Sequence, residues 1–366
     1  MRNAITLESL TPRGMMKMSF DLMQQSAEIG RLLVPWQEGR LALQEFQNKL
    51  ETFDLFAHVD SALAIPAQSE VRLSELLRRA DALEPYRAVW TTEGLGYYLA
   101  ARFCEQHMTP RNLLNGERGE EIPEKALAAL HSGMGLAIAD RFLKTITPES
   151  HKSTIRKVID QFLMACRDNA RSGYLGAVYE SLGLVTRNLY PQLIPKLDQE
   201  LGKIGEDLVG HFWHGVGRGI YFAPTNFLPD GNSGRAVKMT SQEPPHELGR
   251  RNALAGLAWA ITLVNIRHPE ILESFLKHHG DQLDDSDAFI NGVSSAVIIW
   301  RDSTADDPSL EAFCNHQPDS SDTTLVERWE QMVRHPCLRA LEHIYTALKA
   351  RRRLGEVFHY HDELAG

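Results

Sequence analysis

Two histidines and an arginine stand at positions 211, 214 and 218 of this 366-residue chain, inside the stretch GHFWHGVGRGIYF that runs from Gly210 to Phe222. On a helix an i, i+3, i+7 set shares one face, so both imidazoles and the guanidinium would look into the same space. His211 and His214, joined by a carboxylate from elsewhere in the chain such as Glu93 or Glu180, form a donor set suited to zinc or non-haem iron. A divalent metal is therefore the one cofactor these residues suggest. An H-x-x-H pair without the context of H-E-x-x-H is a weak metal signal, and histidines hydrogen-bonded in a polar seam account for the same spacing. Arg218 suits a carboxylate or phosphate held bidentately, or a structural pairing with Glu180.

Two other chemical readings fail on context. Gly215-Val216-Gly217-Arg218-Gly219 is not G-x-G-x-x-G, and no strand precedes it, so a dinucleotide loop is excluded. Ser132, in His131-Ser132-Gly133-Met134-Gly135, lacks both the first glycine and the strand of a nucleophile elbow.

The elements that position these residues are announced by a recurring triplet of small, apolar and small residues. It occurs as Gly94-Leu95-Gly96, Gly133-Met134-Gly135, Ser181-Leu182-Gly183, Gly215-Val216-Gly217, Gly256-Leu257-Ala258 and Gly292-Val293-Ser294. The first positions, 94, 133, 181, 215, 256 and 292, are 39, 48, 34, 41 and 36 residues apart, lengths that fit a helical hairpin each. Glycine inside a helix costs about 1 kcal/mol relative to alanine, so its repetition asks for a packing reason. Residues i and i+2 lie about 200° apart around a helix, so both sides are thin and the helix can be sandwiched closely between neighbours.

The residue before each triplet then faces inward. Those residues are Glu93, Ser132, Glu180, His214, Ala255 and Asn291. Their i±3 and i+4 neighbours extend the stripe to Trp90, Tyr97, Asp140, His211, Arg218 and Trp259. A substrate would meet Trp90, Glu93, Tyr97, Glu180, Arg218 and Trp259 on this polar, aromatic face, and a metal would meet His211 and His214.

Bulk properties bound the function. A net charge of -9 disfavours nucleic acid. The four cysteines, Cys104, Cys166, Cys314 and Cys337, have no paired spacing and read as free thiols of a reducing compartment. No segment reaches the ~18 apolar residues of a membrane span, and the N-terminal stretch lacks a signal-peptide core; the expected location is cytoplasmic. Residues 1–85 read as a helical lead-in with helices over 15–33, 41–64 and 73–83, and the cluster Met15, Met16, Met18 and Met23 reads as core. Residues 86–302 form the repeat domain, in which 228–245 reads as a long loop after the signature helix. Residues 303–366 hold an acidic linker over 303–322 and terminal helices over 324–354, broken near His335-Pro336 and packed on the repeats. The basic run Lys349, Arg351, Arg352 and Arg353 reads as a solvated helix end.

The segment GHFWHGVGRGIYFAPTNFLP and the triplets around it resemble a family of proteins encoded beside biosynthetic genes for enediyne polyketides and related polyene products. An F-x-x-G-x-G-R/L-A/G segment recurs in that family; here Phe212 to Ile220 carries it, and the resemblance covers about residues 85–300. No catalytic residue carries over. The resemblance implies a helical enzyme or ligand-binding protein that holds or modifies a long unsaturated apolar chain, with a polyketide or biosynthetic proteins as partners. The expected fold is all-α, with about six irregular helical hairpins in one compact α/α array or toroid. In a closed array the stripe residues converge on one site. In an open α-solenoid they line a concave face for a partner protein.

Overall fold

The computed structural model describes residues 37–66, 71–105, 110–115, 121–223, 226, 234–283, 286–304 and 306–364. Among these residues all regular structure is helical, as the sequence pattern requires. The expected helix over 15–33, with its methionines, lies outside them.

The helices are α1 (Gln37–Ala57), α2 (Leu73–Asp81), α3 (Pro85–Glu105), α4 (Glu124–Leu143), α5 (Lys152–Asn169), α6 (Leu175–Leu189) and α7 (Ile194–Gly202). They continue as α8 (Glu206–Tyr221), α9 (Gly234–Gln242), α10 (Glu247–Val264), α11 (Pro269–His279), α12 (Asp287–Ser303) and α13 (Pro308–Asn315). A last stretch over 323–350, α14, alternates α segments with π turns at Glu330–Arg334 and Ala340–Ile344.

Two helix types are recognisable from composition. In α4 the whole run from Ala126 to Gly135 is buried, as expected of a helix that is apolar or small on every side. In α5, Ile155, Val158, Ile159, Phe162, Leu163 and Cys166 are buried while Lys157 and Asp160 are exposed, the one-faced pattern of an outer layer. The triplets fall on α3, α4, α6, α8, α10 and α12, which pack successively against one another in that order. α5, α7, α9 and α11 lie in the connections between them.

Backbone touches backbone along this seam. A Cβ added to Gly133 would collide with the Glu93 carbonyl, on Gly215 with that of Glu180, on Gly256 with that of His214, and on Gly292 with that of Ala255. In every case the carbonyl belongs to the residue preceding the previous triplet. The third triplet position meets the following helix: Gly96 lies against Leu130, Gly183 against Phe212 and Gly217 against Ala253. Where serine replaces the first glycine, Ser181 Oγ donates to the equivalent carbonyl, Ser132 O, at 3.1 Å. Such approaches suit Cα–H···O contacts between helices. The two-sided sandwich read from the sequence is the packing found.

Register also fixes direction. His211 lies against Gly176 and Gly219 against Arg187, so α6 and α8 run the same way and α7 lies in the connection that returns the chain. The array folds back on itself: α12 packs on α4, and the Tyr86 ring of α3 lies 5.9 Å from Trp300 of α12. Tyr86 also donates to Val264 O of α10 at 2.9 Å.

Three local expectations are corrected. The loop over 228–245 contains α9, whose Ala236, Val237 and Thr240 are buried; this tertiary burial overrides a polar composition. The acidic linker contains α13, started by the Asp307 side chain accepting from Ser309 N and anchored by Leu310 and Phe313. His335-Pro336 does not break α14. Proline lacks an N–H and crowds the carbonyl four residues back, and the π turn Glu330–Arg334 immediately before it loosens the ladder there.

Gly183→Ala should push α6 and α8 apart and cost about 1–3 kcal/mol through overpacking. Gly202→Ala, with nothing within 4 Å of the added methyl, should be neutral or stabilising by about 0.4–1 kcal/mol. Urea unfolding of both variants checks this; equal stabilities would remove the close-packed seam as a stability determinant.

Candidate functional site

Five of the residues expected on the inner stripe meet in the interior. Glu180 of α6 and His214 of α8 are both 0% exposed, and His214 Nδ1 lies 2.5 Å from Glu180 Oε1. The other Glu180 oxygen accepts from Arg218 Nη1 at 2.5 Å, while Arg218 Nη2 lies 3.5 Å from Glu93 Oε1 of α3. Arg218 therefore bridges two carboxylates from different helices. Its guanidinium stacks over Trp259 of α10, 4.1 Å from the ring centroid, and His214 meets the same ring edge-on. These residues form an interior, not an open concave face.

Burial sets the charges. Glu180 faces both His214 and Arg218, and the guanidinium and this carboxyl pair within one interior. Burial opposes the charged form of Arg218, but the two glutamates outweigh it and hold its pKa above normal. Burial pushes the Glu93 carboxyl up, against the opposing pull of Arg218. A buried group of charges favours net neutrality. Because His214 Nδ1–H donates to Glu180, the neutral ring carries its lone pair on Nε2.

That Nε2 has no hydrogen-bond partner, and neither do Arg218 Nε and Trp259 Nε1, although all three are fully buried. Polar atoms left unpaired in a native interior mark a water, a ligand or a reacting group. His131 shows the contrast. Its Nδ1–H donates to Leu127 O and its Nε2 accepts from Arg171 N, and burial brings its pKa down to about 4; it is a structural histidine.

The structure parts the other expected residues from this cluster. His211 donates through Nδ1 to Phe358 O at 3.0 Å and meets the His359 ring at 4.4 Å, so it does not share His214's partners. Among the described residues no three His, Cys, Asp or Glu side chains are placed to hold a metal, and the expected His211–His214 metal pair is divided. Trp90 packs on Tyr86, 6.0 Å between rings, and Tyr97 is half-buried on Phe56 of α1, 5.3 Å between rings. Asp140 accepts from Tyr190 OH.

No protein-family model, curated protein or solved structure matches the chain. No helix of the described residues is long and apolar enough to cross a membrane.

The stripe missed the chain's C-terminal segment, which closes over the cluster. Phe358 packs on Trp259 at 6.1 Å, Tyr360 N donates to Asn252 Oδ1, and Asn291 Nδ2 donates to His361 O. Its only sequence signal is the aromatic and histidine density of Phe358-His359-Tyr360-His361, which follows no helical period. Also missed was buried Lys49, which contacts Glu45, Asn226 O and the Tyr221 ring. With its ammonium thus satisfied, it is structural.

Arg218→Met alone should cost about 3–5 kcal/mol, because it strands two buried carboxyls. Adding Glu93→Gln and Glu180→Gln should recover most of that loss. Chemical unfolding of the single and triple variants tests the coupling; losses that merely add would show that the three side chains act independently.

Proposed function

We propose that the protein is an enzyme that moves a proton along an unsaturated acyl chain, of the polyene type implied by the sequence resemblance, within the interior cluster. One observation carries this reading: three unpartnered buried atoms, a ring nitrogen and two donors, belong to mutually contacting residues beside a carboxyl whose pKa burial raises. Arg218 Nε–H and Trp259 Nε1–H would hold the substrate carbonyl oxygen and stabilise the negative charge that forms there. His214 Nε2 would take a proton from carbon conjugated with that carbonyl, oriented by its bond to Glu180 as a catalytic histidine is by its carboxylate. The pair of electrons left by the C–H bond shifts the double bond and forms a dienolate. Glu93 then donates its proton to carbon at the far end, and the substrate leaves isomerised.

The cluster ends as Glu93 carboxylate and His214 imidazolium. Passage of one proton from His214 to Glu93 restores the starting state, and no oxidant or reductant is consumed. Trp259 and Phe358 supply aromatic surface for an apolar chain, and the seam excludes water.

The test incubates the protein with non-conjugated polyenoyl thioesters in D2O and follows conjugated absorbance and deuterium uptake. The wild-type protein should catalyse both, and His214→Ala and Glu93→Gln should each lower the rate about 10²–10⁴-fold while remaining folded by circular dichroism. Activity should also fall as pH rises through the elevated Glu93 pKa, since only the protonated acid can donate. Absence of exchange across chain lengths by folded wild-type protein would overturn the reading.

A further inference from the structure

We propose that the cavity at the mouth of the interior, between the N-terminal ends of α6 and α8 and the C-terminal segment, binds an oxyanion, the phosphate or carboxylate of a ligand's head group. The cavity holds about 470 Å³. Leu175 and Gly176 of α6, and Asp207 and Leu208 of α8, line it. Two helix starts therefore turn their positive poles to one space, an arrangement that favours anions.

Side chains supply a second and independent indication. His211 is only 7% exposed, lines the cavity, and uses Nδ1–H on Phe358 O, which leaves Nε2 without a protein partner. Arg167 and Arg352 line the same cavity; Arg167 contacts only the neutral Tyr179 hydroxyl, at 3.2 Å, and no carboxylate pairs with Arg352 among the described residues. Arg352 is also held at φ 55° just after α14, where a helix end ordinarily takes glycine. A side chain kept at such a position has a reason to be there. The basic run read as a solvated helix end is thus divided: Lys349 pairs with Asp302 and Arg353 with Glu356, while Arg352 faces the cavity.

The charges facing His211 set a pH dependence. His359 meets its ring, Tyr179 lies 6.0 Å away, and His214 lies one turn further along α8. Asp207, Glu356 and His361 complete the titratable wall. Burial holds His211 well below its ordinary pKa and lowers His359, so both are neutral at pH 7. An anion stabilises their protonated forms, so binding takes up protons and strengthens as pH falls. Phe358 separates this cavity from Trp259, which places the head group outside and its chain inside. That placement rests on the reading of the interior given above; anion binding does not.

Calorimetric titration of the full chain with inorganic phosphate, and separately with acetate, tests the proposal. At pH 6 at least one should bind saturably, at least tenfold more tightly than at pH 8, and the preferred anion identifies the source of the head group. Arg352→Gly should weaken binding at least tenfold without lowering the melting temperature, because glycine relieves the left-handed backbone. Arg167→Gln should also weaken binding, whereas Glu93→Gln should slow proton transfer as stated above and leave anion binding unchanged. Binding of neither anion, or binding indifferent to both arginine substitutions, would overturn the site. Should His211→Asn fold and bind with the wild-type pH dependence, the role given to His211 would fall.

Discussion

The approach of one helix backbone onto the next, permitted only by the small residues of each triplet, is the constraint on which the rest of this structure depends. Helices in ordinary contact stand 8–10 Å apart, a spacing set by the side chains between them. Here the Glu93, Glu180 and His214 carbonyls lie directly under glycines of the following helix. Each of these residues is thereby pinned at its backbone, with its side chain directed to the interior. The same packing contact also fixes the geometry of the cluster, since Glu180 and His214 could not meet at 2.5 Å if leucines separated α6 from α8.

Close packing alone would have been compatible with an apolar interior. Replacing a buried ion pair by well-packed hydrophobic residues is often neutral or stabilising, so Glu93, Glu180, His214 and Arg218 are not what the fold needs in order to stand. Their arrangement differs from that of the satisfied polar groups elsewhere. Lys49 and His131 have their polar atoms paired, whereas His214, Arg218 and Trp259 each leave one buried atom unpaired. Unpaired buried atoms also occur singly elsewhere, as at Trp90, Asn226 and Asn291; here they fall on three residues gathered at the Trp259 ring.

The seam was legible because it obeys helical arithmetic. A small residue at i and i+2 requires contact on two sides, and the residue before it must then face inward; both follow from 3.6 residues per turn, and Glu93, Glu180, His214, Arg218 and Trp259 were reached this way. His211 shows where that arithmetic stops. It shares a face with His214 to within the angular width of a stripe, yet lies one turn nearer the helix start, where the C-terminal segment supplies Phe358 O and His359 as partners. Tyr97 fails similarly, one turn past Glu93, where α1 offers Phe56. Periodicity assigns a face but not a height along the axis, and height decides which neighbour is met. The C-terminal segment itself has no period to read, and its position depends on contacts between residues far apart in sequence, such as Tyr360 with Asn252.

That segment also resolves a difficulty posed by the interior cluster. A site sealed on all sides by backbone contact cannot admit a ligand by moving its inner helices, because their separation is set by atoms already in contact. Opening must occur away from the triplets. The cover reaches the cluster through side chains, the Phe358 ring on Trp259, a hydrogen bond from His211, and single bonds from Asn291 and to Asn252, while its Gly355 backbone rests on Gly176 of α6. Each can be released without disturbing a triplet. The rigid seam and the cover are therefore complementary: the first holds Glu93, Glu180, His214 and Arg218 in register, and the second is where the interior would open.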